Sequence, residues 1–394
     1  MSVYIRELAR HLGVFGHRID IYTRLNGTKH NQIIELYDNV RLIHLSAGSN
    51  GYVHKLALYY YLSDFFRALE RFKNKEDLDY DLIHSHYWLS GRLGNRVQNR
   101  WNIPHIVMFH TLGTVKNSAG LAEREPDLRI ATEKKLAQTS QRILAPTDRE
   151  KENLLKYCNT TAQKIGVVPC GVNLDLFRPM DKTAARQRLG FDKDESIVLY
   201  VGRFDPIKGI DRLLEAIAHL KHLKRMRLVI IGGDGPATPE YQNLQQLCSK
   251  FGIQKSVHFV GRVEQDQLPP YYSAADLLIV PSYYESFGLV GLESLACGTP
   301  VVASRVGAME DIIEESKTGY VVADLTPRGL ANRIEKVISN PACSMLPAPA
   351  IRASILKYGW PNVAAAIFNE YETVLENFRS DPERTLSASC CCSV

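Results

Sequence analysis

Two carboxylates eight residues apart, Glu285 and Glu293, and two cations five apart, Arg203 and Lys208, are the side chains of this 394-residue sequence best spaced for chemistry. The acids lie in Tyr284-Glu285-Ser286-Phe287-Gly288-Leu289-Val290-Gly291-Leu292-Glu293, after the apolar run Asp276 to Ser282 and at the start of a helical pattern ending near Gly298-Thr299-Pro300. A strand that feeds a helix presents backbone N–H groups with no intrahelical partner, so such a junction suits anions and sugars. The cations lie in Val201-Gly202-Arg203-Phe204-Asp205-Pro206-Ile207-Lys208-Gly209, again where a strand runs into a glycine turn. Arg offers two parallel donors to phosphate oxygens and Lys a point charge, and a diphosphate uses both. Taken singly, each is an ordinary surface charge: a solvated acid on a capped helix, a solvated cation in a loop. Their combination is what points to a ligand.

His110 ends the apolar strand Met108-Phe109-His110-Thr111-Leu112-Gly113, and His86 stands in His84-Ser85-His86-Tyr87-Trp88. A lone His on a buried strand is more often a satisfied core residue than a catalyst; at a strand's carboxyl end before a glycine, the two readings are even. Ile230-Ile231-Gly232-Gly233-Asp234-Gly235-Pro236 lacks the third glycine of a dinucleotide fingerprint and reads as a plain turn after a strand.

These residues need elements to hold them. Short apolar runs alternate with helical periodicity throughout: strands are expected at Arg18 to Thr23, Val40 to Ser46, Leu82 to His86, His105 to Thr111, Arg142 to Thr147 and Ile165 to Pro169. After Pro179 they resume at Ile197 to Val201, Leu228 to Gly232, Val257 to Val260, Leu277 to Pro281, Pro300 to Ser304 and Tyr320 to Val322. Helical spacing runs through Val53 to Phe72 and Leu128 to Leu136. Val-, Ile- and Leu-rich runs separated by helices indicate parallel sheets covered on both faces. A break at Phe177-Arg178-Pro179-Met180-Asp181 divides the pattern into two doubly wound domains with a cleft between them, ligands lying outside the carboxyl ends of the strands.

Composition excludes other classes. Hydrophobic content of 45%, charged content of 23% and a net charge of +5 belong to a globular chain without a basic block for nucleic acid. No apolar run approaches the roughly 18 residues that span a bilayer, and Met1 to Leu12 has no signal-peptide centre, so a cytoplasmic protein is expected. The eight cysteines include no C-x-x-C pair, and the tail with Cys390, Cys391 and Cys392 is expected to be disordered.

Gly202-Arg203 with Lys208-Gly209, Gly261-Arg262-Val263, and Glu285-Ser-Phe-Gly through Glu293 together resemble the retaining glycosyltransferases of family 4, which have the GT-B fold of two Rossmann-like domains. The likeness covers essentially the whole chain. It implies an N-terminal acceptor domain over 1–178, a nucleotide-sugar domain over 179–358, a helix over 359–380 packing back on the first domain, and a tail over 381–394. It also implies that Arg203 and Lys208 hold the donor pyrophosphate, Glu293 the ribose hydroxyls, and Gly261, Arg262 and Val263 the base, uracil. Glu285 and the N–H groups of Phe287, Gly288 and Leu289 would hold the transferred sugar and phosphate. In the first domain the likeness is to branches acting on sugar or inositol phosphates, which pair the strand-end histidine, here His110, with a basic phosphate pocket. Lys55, Tyr87, Thr111 and Arg129 fall at its positions. The same likeness raises a structural magnesium site through Tyr272, Ser273, Ala275 and Thr299.

Family members begin with a strand and a Gly-Gly turn, whereas this sequence starts with a helix resembling the one that follows them. The first domain is therefore expected to lack its first strand, with Met1 an internal methionine and two sheet edges bared. Three functions compete. One is transfer of glucose or N-acetylglucosamine from a UDP-sugar to a soluble phosphorylated acceptor, with no cofactor required; a second is transfer to a lipid-linked or polysaccharide acceptor. The third is noncatalytic nucleotide-sugar binding. The sugar, the acceptor and dimerisation stay open.

Overall fold

The structure, a computed structural model, describes residues 1–27, 31–49, 51, 53–54, 56–120, 124–324, 326–339 and 345–380. Lys55 and the tail 381–394 lie outside the described residues. The chain forms two compact units, Met1–Val115 with Glu125–Pro169 and the segment from Trp360, and Lys116–Arg124 with Cys170–Gly359.

Unit 1 contains β1 (Ile19–Arg24), β2 (Ile33–Tyr37), β3 (Val40–Leu45), β4 (Ile83–His86), β5 (His105–Met108), β6 (Arg142–Ala145) and β7 (Ile165–Val167). β3 pairs parallel with β1 and antiparallel with β2, which the turn at Asn39, φ 63°, makes its hairpin partner. β4, β5, β6 and β7 form a second, all-parallel sheet in that order. Among the described residues β1 and β4 thus end their sheets. Tyr80, just before β4, ties to the β1 side by donating to Asp20 Oδ2 at 2.6 Å, and Arg41 of β3 grips the same carboxylate with two bonds of 2.8 Å.

The amphipathic helix Leu62–Lys75 buries Phe65, Phe66, Leu69 and Phe72 against Ile43 and Leu45 of the first sheet. Val107, Ile143, Ala145 and Ile165 of the second pack with Leu136 and Leu154 from the helices Asp127–Thr139 and Asp148–Cys158. The terminal helix Trp360–Arg379 lies along Ser2–Val14, with Trp360 edge-on to Tyr4 at 5.2 Å.

Unit 2 is built on β8 (Ser196–Val201), β9 (Met226–Ile231), β10 (Val257–Gly261), β11 (Leu277–Val280), β12 (Val301–Ser304) and β13 (Gly319–Val322). The sheet order is β10-β9-β8-β11-β12-β13, every pair parallel. Continuous apolar strands such as Leu277–Val280 are fully buried because helices cover both faces. The order reverses between β8 and β11, so the chain leaves these neighbours in opposite directions and opens a crevice beyond their carboxyl ends. The Arg203–Lys208 loop follows β8 and the Glu285–Gly288 loop follows β11.

Candidate active site

At this switch point the two loops meet through charge. Lys208 Nζ donates to Glu285 Oε1 at 2.6 Å, with both side chains largely buried, and Ser282 Oγ donates to the same oxygen at 2.8 Å. The local fold sets up this contact. Asp205 caps the short turn Pro206–Lys208 by accepting from Ile207 N, and Gly209 follows at φ +67°. A Cβ at Gly209 would lie 2.2 Å from Pro281 O, so the approach of the β8 and β11 loops requires glycine here. Arg203 sits in the same loop with its side chain 80% exposed, 3.4 Å from Asp205, and is free to swing onto an incoming anion.

The β11 loop leads into the helix Leu289–Ala296, whose N-terminus no side chain caps. Gly288 turns into it at φ +97°, and Phe287 is fixed by accepting from Ala308 N at 2.9 Å. The first N–H groups of this helix are the donors that an anion would meet. One turn further in, Glu293 is buried and accepts from Tyr272 Oη at 2.8 Å and Gln265 Nε2 at 3.2 Å. Burial pushes its carboxyl up to about 7. Gly261 ends β10, and its carbonyl accepts from Gly232 N at 2.8 Å while Gly202 N donates to Ile231 O at 3.0 Å, so the ends of β8, β9 and β10 are knitted together. Arg262 beside it is exposed, 3.5 Å from Glu264.

Arg212 gives no signal in the sequence, where it reads as a solvated helix residue. It is 5% exposed, donates to Ser304 Oγ at 3.1 Å and to Pro281 O, and lies 4.1 Å from the Tyr283 ring. From the helix Ile210–Ala218 it therefore staples the ends of β11 and β12 that frame the crevice.

In unit 1, Tyr87, Thr111 and Arg129 converge at the carboxyl ends of β4 and β5. Arg129 donates to Tyr87 Oη at 3.1 Å, to Thr111 O at 2.7 Å and to Thr111 Oγ1 at 2.9 Å. The expected basic phosphate pocket also contains acids. Arg129 is 0% exposed and stands between two acids, Glu133 at 2.6 Å and Glu125 at 3.0 Å, so each of its nitrogens already has an oxygen partner. A buried guanidinium demands such counter-charge, and here Arg129 holds Tyr87 and Thr111 in place instead of presenting spare donors. Glu133 also accepts from Gly113 N at 2.9 Å, which anchors the turn after Thr111.

Tyr87 and His110 both adopt positive φ, 78° and 60°. Such backbone costs non-glycine residues about 1–3 kcal/mol each and is characteristic of functional sites. His86 Nδ1 and His110 Nε2 lie 3.0 Å apart. Burial lowers His84, His105 and His110 to about 3 and His86 well below its ordinary value, so all four rings are neutral at pH 7.

The residues proposed for magnesium are engaged with the protein. Thr299 Oγ1 donates to Tyr272 O at 2.6 Å, Ser273 Oγ accepts from Met180 N at 3.3 Å, and Ala275 N donates to Tyr272 O at 3.2 Å. They bring no carboxylate, which magnesium favours, and among the described residues no group of three His, Cys, Asp or Glu could hold a metal. A cation here would have to rest on backbone carbonyls and the Thr299 hydroxyl, and no step below passes through one.

Residues 1–176 match the family described as Glycosyltransferase Family 4, and residues 181–353 that described as Glycosyl transferases group 1. The chain is 36% identical to D-inositol 3-phosphate glycosyltransferase 2 of Catenulispora acidiphila over 98% of its own length and 93% of the relative's. It is also 36% identical to the D-inositol 3-phosphate glycosyltransferase of a Nocardioides species, covering 96% of this chain and 86% of that one. Among solved structures it resembles sucrose-phosphate synthase from Thermosynechococcus elongatus, with a TM-score of 0.87, 32% identity, and 95% and 93% of the two chains covered. Anabaena HepE, solved with UDP and glucose, shares the fold at 18% identity and a TM-score of 0.75, over 94% and 95% of the chains. With its parallel α/β sheets and this similarity along nearly its whole length, the chain belongs to glycosyltransferase family 4 and is a GT-B glycosyltransferase.

Proposed function

We propose that this glycosyltransferase moves a hexosyl group, glucose or N-acetylglucosamine, from a UDP-sugar to a hydroxyl of a soluble phosphorylated acceptor, a sugar phosphate or inositol phosphate. The observation that carries the donor half is the Lys208–Glu285 pair at the switch point of unit 2, beside the uncapped helix start at Gly288. A diphosphate there takes Lys208 and Arg203, and Glu285, relieved of its cation, turns to the sugar hydroxyls. Gly261, Arg262 and Val263 read the base, and Glu293 takes the ribose. The acceptor half is supported by the names of the relatives at 36% and 32% identity, inositol 3-phosphate glycosyltransferase and sucrose-phosphate synthase. Tyr87, Thr111 and His110 in unit 1 are its residues, with Arg129 behind them, and Lys55 belongs to the same proposal.

In the reaction the anomeric C–O bond to the diphosphate breaks and negative charge builds on the leaving oxygen. The acceptor oxygen bonds to the anomeric carbon from the same face, and its proton passes to the departing phosphate. Donors brought onto that oxygen when the donor binds lower the barrier, each contributing about 3 kcal/mol. Arg203 and Lys208 fill this role without a metal or a nucleophilic carboxylate. Calorimetric titration with UDP tests the donor half: one saturable site weakened by Lys208→Ala supports it, and absence of binding by the folded chain rejects it.

A further inference from the structure

We propose that His86 is a positioning residue for His110: it holds the His110 ring through Nε2, fixes one tautomer, and leaves Nδ1 as the ring nitrogen that meets a ligand. This deepens the proposed function and rests on it only for the identity of that ligand. The period of two along β4 puts His84 and His86 on one face and Ser85 on the other, where its Oγ lies 2.9 Å from His105 Nε2. In the parallel register His86 stands opposite Met108, so it borders the strand that delivers His110 two residues later.

The left-handed backbone at His110, φ 60°, then brings its Nε2 to 3.0 Å from His86 Nδ1. Tyr4 closes over the pair, edge-on to His86 at 5.7 Å and to His110 at 5.3 Å, so neither ring is loose. His86 is backed by His84 at 4.2 Å between ring centres, and His84 Nδ1 is in turn 2.6 Å from Tyr371 Oη. Two neutral imidazole nitrogens at this distance share one proton, so whichever donates fixes the tautomer of the other. An imidazole tied through one nitrogen offers the other in a set state, as second partners do for histidines that bind metals. A His86 that only filled core volume would have no such effect.

The test compares His86→Leu, which keeps bulk and removes the bond, with His86→Asn, whose amide reaches the place of Nδ1. In the ligand-free 394-residue chain labelled with 15N-histidine, with His110 assigned through His110→Gln, the wild type shows one His110 tautomer and His86→Leu a mixture. Turnover falls about tenfold or more in His86→Leu with the donor KM nearly unchanged, and His86→Asn recovers most of it. The same His110 spectrum in wild type and His86→Leu overturns the proposal, as does a mixed tautomer in the wild type, which decides the matter even where a variant does not fold. A wild type that shows the single tautomer but transfers no sugar would reject the proposed function and leave the role of His86 standing.

Discussion

Lys208 and Glu285 neutralise each other at 2.6 Å, so in the proposed function a diphosphate arriving beside them exchanges one anion for another on the same cation. Lys208→Ala should therefore lower turnover at least about tenfold, and Arg203→Ala likewise, from the loss of one donor aimed at the leaving group. Unchanged steady-state turnover in either variant would remove that residue from the donor site. Glu293 gives a second test. Its carboxyl is raised to about 7 by burial, and in the proposed function the charged form binds the ribose hydroxyls, so affinity for a UDP-sugar should rise as pH climbs from 6 to 8. Calorimetry at the two pH values should show a gain of about fivefold to tenfold that Glu293→Gln abolishes, because below the pKa each binding event must release one proton. The residue types at these positions are legible in the sequence, since cations and acids stand next to glycines at strand ends. Their partners are not legible: 77 residues separate Lys208 from Glu285, and Tyr272 and Gln265 beside Glu293 carry no pattern of their own.

Elements decide what the unit 1 residues can do. The helix Asp127–Thr139 places Arg129 and Glu133 one turn apart facing the ends of β4 and β5, and Arg129 ties down Tyr87, with its positive φ, and Thr111, which follows His110. Removing the guanidinium with Arg129→Met strands Glu133 and Glu125 in the interior, which should cost about 3–5 kcal/mol of stability. Chemical denaturation would measure it, and an unchanged midpoint would mean that Arg129 serves a ligand and not the fold. Most strands follow from their apolar runs, as β11 at Leu277–Val280 does from Leu277 to Pro281. β2 at Ile33–Tyr37 is missing from the expectations because it is a half-exposed edge strand whose two isoleucines make only a short apolar signal. The helical spacing from Val53 resolves into a 3-10 turn at Ala57–Tyr61 and the helix Leu62–Lys75, a division periodicity does not mark.

At the scale of the molecule, the GT-B fold is legible because strand and helix periods alternate twice over, and the reversal of sheet order in unit 2 places its ligand loops. Buried titrating groups set how the whole chain responds to acid. His84, His86, His105 and His110 are held neutral by burial, so the unfolded chain binds more protons below its histidine pKa of about 6.5 and stability is lost as pH falls through that value. Glu150 and Glu293, raised to about 7, act in the opposite sense between about 4.5 and 7, and Glu133, also raised by burial, adds to them, but four histidines outweigh three acids. The thermal midpoint should accordingly rise from pH 5 to 6.5, and a falling midpoint over that range would contradict the buried neutral rings. The claim that joins both units is transfer from a UDP-sugar to a phosphorylated acceptor. It is tested most directly by measuring UDP release with inositol phosphates and sugar phosphates beside their dephosphorylated counterparts. UDP release that depends on a phosphorylated acceptor and falls steeply without the phosphate is the predicted result, and equal release with the dephosphorylated acceptors, or none with any, would contradict it.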